Sequence, residues 1–172
     1  MYVCMYNLLV TCYNKLQEYT TAGRLVREVC LPTSLVSPWH AIQLSTGDFV
    51  VSHCELPGVV SVVGFDGRTL RSYEPPNSSD VGPMKYPISL AVTTHGDILV
   101  ADAGNDRILA INSALTHAQV FPLPADVGLR LPCALYLDDT RDRLYIGEWG
   151  GKHRVIVLNS SSYVSWQLTN LG

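Results

Sequence analysis

One stretch of this sequence decides its fold: Gly96-Asp97-Ile98-Leu99-Val100-Ala101-Asp102-Ala103-Gly104-Asn105-Asp106-Arg107-Ile108-Leu109-Ala110-Ile111. It contains two apolar runs of strand length, and a turn-rich Gly-Asn-Asp break separates them. A Gly-Asp pair in front of the first run supplies a further turn signal. The stretch therefore predicts a β-hairpin that the chain enters through a tight turn.

Imperfect copies of this stretch lie on both sides of it. The segment that contains it begins at Pro87 and aligns with segments that begin at Pro38 and Pro132, which are 49 and 45 residues away. One apolar position is shared by the three copies: Val51, Val100 and Ile146. Repeats of about 40 to 50 residues that hold several short strands are typical of β-propellers.

Turn residues divide each copy into four predicted strands. In chain order these are residues 39–44, 49–52, 59–65 and 69–73, then 88–93, 98–102, 107–111 and 118–122, then 133–138, 143–148, 154–158 and 163–168. An incomplete copy in front predicts strands at 8–12, 16–19 and 24–29, which leaves residues 1–6 for its first strand. We therefore predict an all-β fold, a single partial β-propeller over residues 1–172. Its four-stranded antiparallel blades span about 1–29 (incomplete), 38–73, 87–122 and 132–168.

Composition excludes several classes of protein. Apolar residues make up 47% of the chain and charged residues 16%, so the chain can bury a core. The formal net charge of −3 argues against an extensive basic surface for nucleic acid. No apolar run approaches the roughly 18 residues that a membrane span needs. The five cysteines form no C-x-x-C pair, so we predict buried or half-buried free thiols in a reducing compartment.

The charged and nucleophilic residues predict neither a catalytic constellation nor a metal cluster. Asp102 and Glu148 occupy equivalent positions, where we expect them to anchor the turn that follows. Arg107 and Arg154 either pair with the acid of their own repeat or face a ligand. The five histidines are scattered without the spacing of metal ligands. His53 cannot act with its neighbour Cys54, because adjacent strand residues point to opposite faces. We thus predict no catalytic residue, no metal site and no cofactor.

The best candidate for a binding surface is the loop that runs from Trp149 to Arg154. It combines an aromatic ring, a flexible Gly-Gly backbone and three potentially basic groups. Such a loop can stack on a base and grip a phosphate, or serve as a hot spot for a protein partner. The alternative is that Trp149 packs between blades. With the equivalent loop of the central copy, the predicted binding residues are Asn105, Arg107, Trp149, Lys152, His153 and Arg154.

These residues resemble the NHL-repeat family of β-propellers. The resemblance rests on an apolar strand that ends in Ala101-Asp102, the Gly104-Asn105 turn, and Arg107 before a second apolar strand. The third copy has Glu148 in place of the aspartate and lacks the asparagine. The second copy has Ser52-His53-Cys54 instead of Ala-Asp.

The resemblance implies a six-bladed propeller of the kind found at the C-terminus of tripartite-motif ubiquitin ligases and their relatives, where it binds RNA or protein. This chain has no RING or B-box, so ligase chemistry is not carried over to it. It also has too few blades to close a ring. We therefore expect a fragment, a truncated product or a half-propeller that needs a partner, with open blade edges that favour self-association.

Three functions follow as expectations. The first is a non-catalytic, cytoplasmic module that binds a protein, or alternatively single-stranded RNA, with the net charge favouring protein. The second is an enzyme of the lactonase or amidating-lyase type with a metal on the propeller axis, for which the inner strands offer His40, Ser89 and Asp138. The third is a truncated product without independent function.

Overall fold

The computed structural model describes residues 7–35, 37–53, 56–75 and 80–159. These residues form four antiparallel sheets, and consecutive strands are neighbours in each sheet. The strands are β1 (Leu8–Cys12), β2 (Lys15–Tyr19), β3 (Leu25–Cys30), β4 (Pro38–Gln43), β5 (Phe49–His53), β6 (Val59–Val63), β7 (Thr69–Tyr73), β8 (Pro87–Val92), β9 (Ile98–Asp102), β10 (Arg107–Ile111), β11 (Ala118–Val120), β12 (Pro132–Asp138), β13 (Arg143–Glu148) and β14 (Val155–Asn159). The sheets β1–β3, β4–β7, β8–β11 and β12–β14 are called blades 1 to 4.

The prediction of an all-β, propeller-like fold is confirmed, and most strand bounds agree with the prediction to within one residue. The exceptions are β6, which ends at Val63 because Gly64 already bonds across a turn to Arg68, and β11, which ends at Val120. The central hairpin also contains a 3-10 turn at Ala103–Asn105 where a simple turn was predicted. The predicted strands at residues 1–6 and 163–168 lie outside the described residues.

The apolar core lies between neighbouring blades. Val51, Val100 and Ile146 are fully buried, and each pairs with the first strand of its own blade, so the predicted repeat register is correct. Three clusters of buried side chains join blade 1 to blade 2, blade 2 to blade 3, and blade 3 to blade 4. Alternate residues of each strand face opposite neighbours, which is why each repeat needs its neighbours to bury both faces.

The linkers between blades are held by one recurring buried residue. Leu35, Met84 and Leu129 each lie three residues before the proline that begins the next blade, and all three are buried. The linker that leaves β3 therefore matches those that leave β7 and β11. It follows that β1, β2 and β3 occupy the positions of the second, third and fourth strands of a blade.

Each blade has two ends, which we name by their connections. The linker end is where Pro38, Pro87 and Pro132 begin the first strands, and the turns between second and third strands lie there too. The hairpin end carries the tight turns that close through Gly47, Gly67 and Gly96.

The expectation that the cysteines are buried or half-buried is wrong for two of them. Cys12 and Cys30 are exposed, whereas Cys133 is half-buried. Both exposed residues pair with Lys15 and lie on the side of blade 1 that faces away from blade 2. The other two cysteines, Cys4 and Cys54, lie outside the described residues.

Candidate binding face

Asp102 is the centre of the polar network in the central hairpin. Its buried carboxylate accepts hydrogen bonds from the Lys85 amide at 2.6 Å, Asn105 Nδ2 at 2.8 Å and Arg107 Nε at 2.7 Å. Asn105 and Arg107 also donate to the carbonyl of Pro83, and Arg107 donates to that of Val81. Both predicted binding residues thus tie the hairpin to the preceding linker.

Glu148 has the same role in blade 4. It accepts hydrogen bonds from Arg154 Nη2 at 3.2 Å and from the amides of Arg130 and Lys152, both at 3.3 Å. Burial alone raises the pKa of Glu148, but the hydrogen bonds from Lys152, Arg154 and Arg130 outweigh it and lower that pKa. Arg154 further donates to the carbonyl of Val127. The expectation that the two acids anchor their turns therefore matches the geometry, with the arginines as their partners.

Three other predicted binding residues project into solvent. The Trp149 side chain is 69% exposed rather than packed between blades, and Lys152 and His153 are exposed beside it. The backbone of this loop is fixed to the preceding linker, because the Trp149 amide donates a hydrogen bond to the carbonyl of Leu131 at 3.0 Å. His153 has a left-handed φ of 47°, which turns the loop back towards β14. The loop thus presents an aromatic and two basic side chains from a fixed backbone.

A cleft opens between blades 3 and 4 next to this loop. Its lining residues are Gly104, Asp106, Arg130, Leu131, Gly150 and Gly151. Asp106 accepts hydrogen bonds from the Leu131 amide at 2.7 Å and from Arg130 Nη1 at 3.2 Å, which joins the two blades across the cleft. A Cβ atom at Gly104 would lie 2.8 Å from the Cβ of Lys85, so only glycine allows the linker to approach this closely.

Sequence reasoning missed most of the apolar surface at the linker end. Six large side chains are exposed there: Tyr13 (77%), Trp149 (69%), Leu56 (65%), Trp39 (56%), Tyr86 (49%) and Leu131 (42%). At the hairpin end, Phe65 (71%) is exposed in the turn before Gly67, and Leu8 (57%), Leu70 (53%) and Leu25 (47%) are exposed near the starts of β1, β7 and β3. One signal could have found two of them: Tyr86 and Leu131 directly precede the first proline of a blade, with left-handed φ values of 57° and 45°.

Charge also differs between the two ends. The tight turns of the hairpin end carry aspartates at positions 48, 66, 97, 139 and 142. The linker end carries Lys85, Arg130, Lys152 and His153, with Arg130 paired to Asp106. The arginines and lysines nevertheless do not gather there, since Arg24, Arg68 and Arg141 lie at the hairpin end or next to it.

The residues considered for an axial metal have structural partners. His40 Nδ1 accepts a hydrogen bond from the Leu90 amide at 3.1 Å, and Ser89 Oγ accepts one from the Leu135 amide at 3.0 Å. Hydrogen bonds from Thr140, and then from Arg141, lower the pKa of Asp138 to about 2. Over residues 7–159, apart from the gaps given above, no three His, Cys, Asp or Glu side chains lie close enough together to hold a metal ion. In the same residues, no helix is long and apolar enough to cross a membrane.

No protein-family model and no curated protein sequence matches this chain. Several solved structures resemble it. A streptogramin B lyase is 18% identical with a TM-score of 0.54, and the match covers 89% of this chain and 51% of that one. A catalytically inactive virginiamycin B lyase from Staphylococcus aureus with quinupristin is 19% identical with a TM-score of 0.56, covering 86% and 49%. The hydrazine synthase of Kuenenia stuttgartiensis is 14% identical with a TM-score of 0.64, covering 91% and 43%.

These likenesses agree on the fold and on nothing more specific. The neighbours are β-propeller-like, so the four antiparallel sheets are those of a partial β-propeller. The chain spans about half the length of these structures. At such identities, the activities named for the neighbours belong to those proteins.

Proposed function

We propose that this chain is a non-catalytic, NHL-type propeller module that binds a protein partner through its linker end, in the cytoplasm and in the manner of the propellers of tripartite-motif proteins. One observation carries the proposal. Six large apolar side chains are exposed at the linker end. Three of them lie in linkers or at a strand start and three lie in turns, and together they come from all four blades. Four of the six are aromatic, and exposed aromatic groups gathered at one end of a molecule are typical of protein-binding surfaces.

The chemistry of this surface favours protein over single-stranded RNA. Two of the predicted phosphate-binding groups, Arg107 and Arg154, are already bonded to buried acids and to linker carbonyls. Arg130 is paired with Asp106, which leaves Lys85, Lys152 and His153 as the basic groups of the linker end without an acidic partner among the described residues. RNA binding draws most of its affinity from phosphate contacts, whereas tryptophan and tyrosine side chains supply many of the hot spots of protein interfaces.

The test compares the two ends of the propeller. The immobilised chain is cross-linked to its partner in cell extract, and the captured protein is then purified and titrated against the variants Trp149→Ala and Trp39→Ala. We expect each variant to weaken binding about tenfold or more, as for an aromatic hot spot. The matched control is Phe65→Ala, an exposed aromatic at the hairpin end, which leaves binding unchanged. If Phe65→Ala weakens binding and the tryptophan variants do not, the proposed surface is wrong.

Two further measurements separate this function from the alternatives. A labelled single-stranded RNA of mixed sequence is titrated at several salt concentrations, and tight binding with a steep loss at high salt would identify an RNA-binding module instead. Elemental analysis of the purified chain addresses the enzyme alternative, because a stoichiometric divalent ion would favour a propeller enzyme with an axial metal.

A further inference from the structure

Arg130, in the cleft between blades 3 and 4, has a fixed backbone and an exposed side chain. Its amide donates a hydrogen bond to Glu148 Oε2 at 3.3 Å, and its carbonyl accepts one from the Gly150 amide at 3.2 Å. The aliphatic part of the side chain passes beside Gly151, where an added Cβ atom would lie 3.7 Å from both Cβ and Cγ of Arg130. The side chain is nevertheless 69% exposed. Blade 4 thus presents this arginine to solvent from a backbone that is fixed at two points.

The guanidinium of Arg130 has more donors than partners. Its Nη1 donates to Asp106 Oδ2 at 3.2 Å, and the described residues offer no acceptor to its other nitrogen atoms. Most of the N–H donors of this arginine are therefore left for a ligand. The bond to Asp106 also orients the guanidinium, since that carboxylate is itself held by the Leu131 amide at 2.7 Å. A planar, oriented guanidinium matches the two oxygens of a carboxylate.

The charges around the cleft favour an anion. Lys152 is a cation, His153 becomes one when protonated, and both are exposed without an acidic partner among the described residues. Asp106, the acid that lines the cleft, is already paired with Arg130. The local sign is therefore opposite to the formal net charge of −3 for the whole chain. Coulomb attraction draws a carboxylate rather than a cation to this place.

The cleft also has room for an acidic side chain and for the peptide backbone that carries it. Its volume is about 530 Å³, within the range of ordinary ligand sites, and glycines at positions 104, 150 and 151 form much of its lining. Glycine lets another backbone approach closely, because no side chain stands in the way. An extended peptide can thus lie along the glycines with one carboxylate on Arg130.

We propose that the cleft between blades 3 and 4 binds a carboxylate of an acidic segment of the protein partner, with Arg130 as its receptor and Lys152 as a second cation. This inference rests on the proposed function, because it names the chemistry of the partner that the linker end would bind. An RNA strand fits less well. It needs cations along its backbone, whereas here they gather at one cleft that also contains Asp106.

The experiment is a titration of the isotope-labelled full chain with the peptide acetyl-Glu-Glu-Glu-amide, followed by NMR. We expect saturable binding that shifts the amide signals of residues 104, 150 and 151 and weakens as salt is added. The uncharged peptide acetyl-Gln-Gln-Gln-amide should cause no such shifts. The variant Arg130→Gln should raise the dissociation constant of the acidic peptide about tenfold, because it removes the charge-assisted hydrogen bonds.

The matched control is Arg68→Gln at the hairpin end. Arg68 is 85% exposed and pairs with Asp66 at 3.4 Å, so this variant removes the same kind of surface ion pair away from the cleft. Its dissociation constant should equal that of the wild type. Thermal unfolding confirms that each variant is folded. If Arg130→Gln does not fold, Arg130→Lys replaces it, and it should weaken binding severalfold because it keeps the charge but loses the planar fork of donors.

Four results would overturn the proposal. They are no binding of the acidic peptide, equal binding of the two peptides, equal effects of Arg130→Gln and Arg68→Gln, and tighter binding of a single-stranded RNA hexamer than of the acidic peptide at the same amide signals. The titration needs no captured partner. Loss of partner binding in Trp149→Ala, with none in Phe65→Ala, would therefore still support the proposed function if the acidic peptide did not bind.

Discussion

At the residue scale, single side chains on the first strands join one blade to the next. His40 and Ser89 stand at equivalent positions of β4 and β8, and each accepts the amide of the following blade's first strand. In blade 4 this position is Ala134, which offers no acceptor to a further blade. The role of these residues is thus to link blades, and it explains why a histidine and a serine occupy otherwise apolar strands.

His40 makes the stability of the molecule depend on pH. Burial lowers the pKa of His40 below its ordinary 6.5, and only the neutral ring can accept the Leu90 amide at Nδ1. The unfolded chain therefore binds a proton more readily than the folded one, so this stability is present above about pH 6.5 and is lost as the pH falls through the lowered folded pKa.

We expect the melting temperature to fall as the pH is lowered from 7.5 to 5.5, by about 2–4 °C for each kcal/mol lost. The variant His40→Asn keeps an acceptor but does not titrate, so its melting temperature should change less over this range. Thermal unfolding of both proteins at matched ionic strength checks this. An equal pH dependence in the two proteins would show that His40 is not the group responsible.

At the element scale, the tight turns of the hairpin end differ in what surrounds them. Gly47, between β4 and β5, and Gly67, between β6 and β7, occupy turns with the same hydrogen bonding. Their left-handed φ values are 92° and 85°. A Cβ atom at Gly47 would meet nothing within 4 Å, whereas one at Gly67 would lie 2.1 Å from the carbonyl oxygen of Cys30. The outer strands of blades 1 and 2 thus meet at Gly67, so this turn is also a contact between blades.

The pair allows backbone strain to be separated from blade packing. Gly47→Ala should destabilise the fold by about 1–2 kcal/mol, the ordinary cost of a left-handed alanine. Gly67→Ala should cost distinctly more, because the backbone of blade 1 must also move away. Urea unfolding of the two variants measures the difference. Similar losses would mean that blade 1 is held too loosely at Cys30 for the contact to matter.

At the scale of the whole molecule, the blades form a short one-dimensional stack. Blades 2 and 3 have a neighbour on each side, so β5 and β9 are buried along their whole length. Blades 1 and 4 each pack against one neighbour among the described residues, and alternate residues of β1 and β14 are exposed. Stability in such a stack comes from each repeat and its contacts with adjacent repeats.

Hydrogen exchange should therefore be slowest in β5, β6, β9 and β10 and faster in β1, β3 and β14. The reason is that the terminal blades can open without disturbing the central interface between blades 2 and 3. Exchange followed by mass spectrometry measures this order. Uniform protection across the four blades would show that the arc unfolds as one unit rather than from its ends.

Much of the fold could be predicted because its signals are local. The Gly-Asp and Gly-Asn turns and the alternation of apolar residues lie within ten residues of one another, so the strands and the register of Val51, Val100 and Ile146 followed directly. The site was harder. Asn105 and Trp149 both belong to turns between second and third strands, yet Asn105 is hydrogen-bonded inward and Trp149 projects into solvent.

The sequence by itself determined the repeat, the strands and the turns, because all of these depend on residues close together in the chain. Only the tertiary structure decided which side chains are exposed and which of them lie together on one surface. Tyr13, Trp39 and Trp149 reach one end of the molecule from distant segments, and only the order and direction of the strands bring them there. Likewise, Ala110 and Val157 occupy equivalent positions of blades 3 and 4. Ala110 is buried by the neighbouring blade, whereas Val157 is exposed.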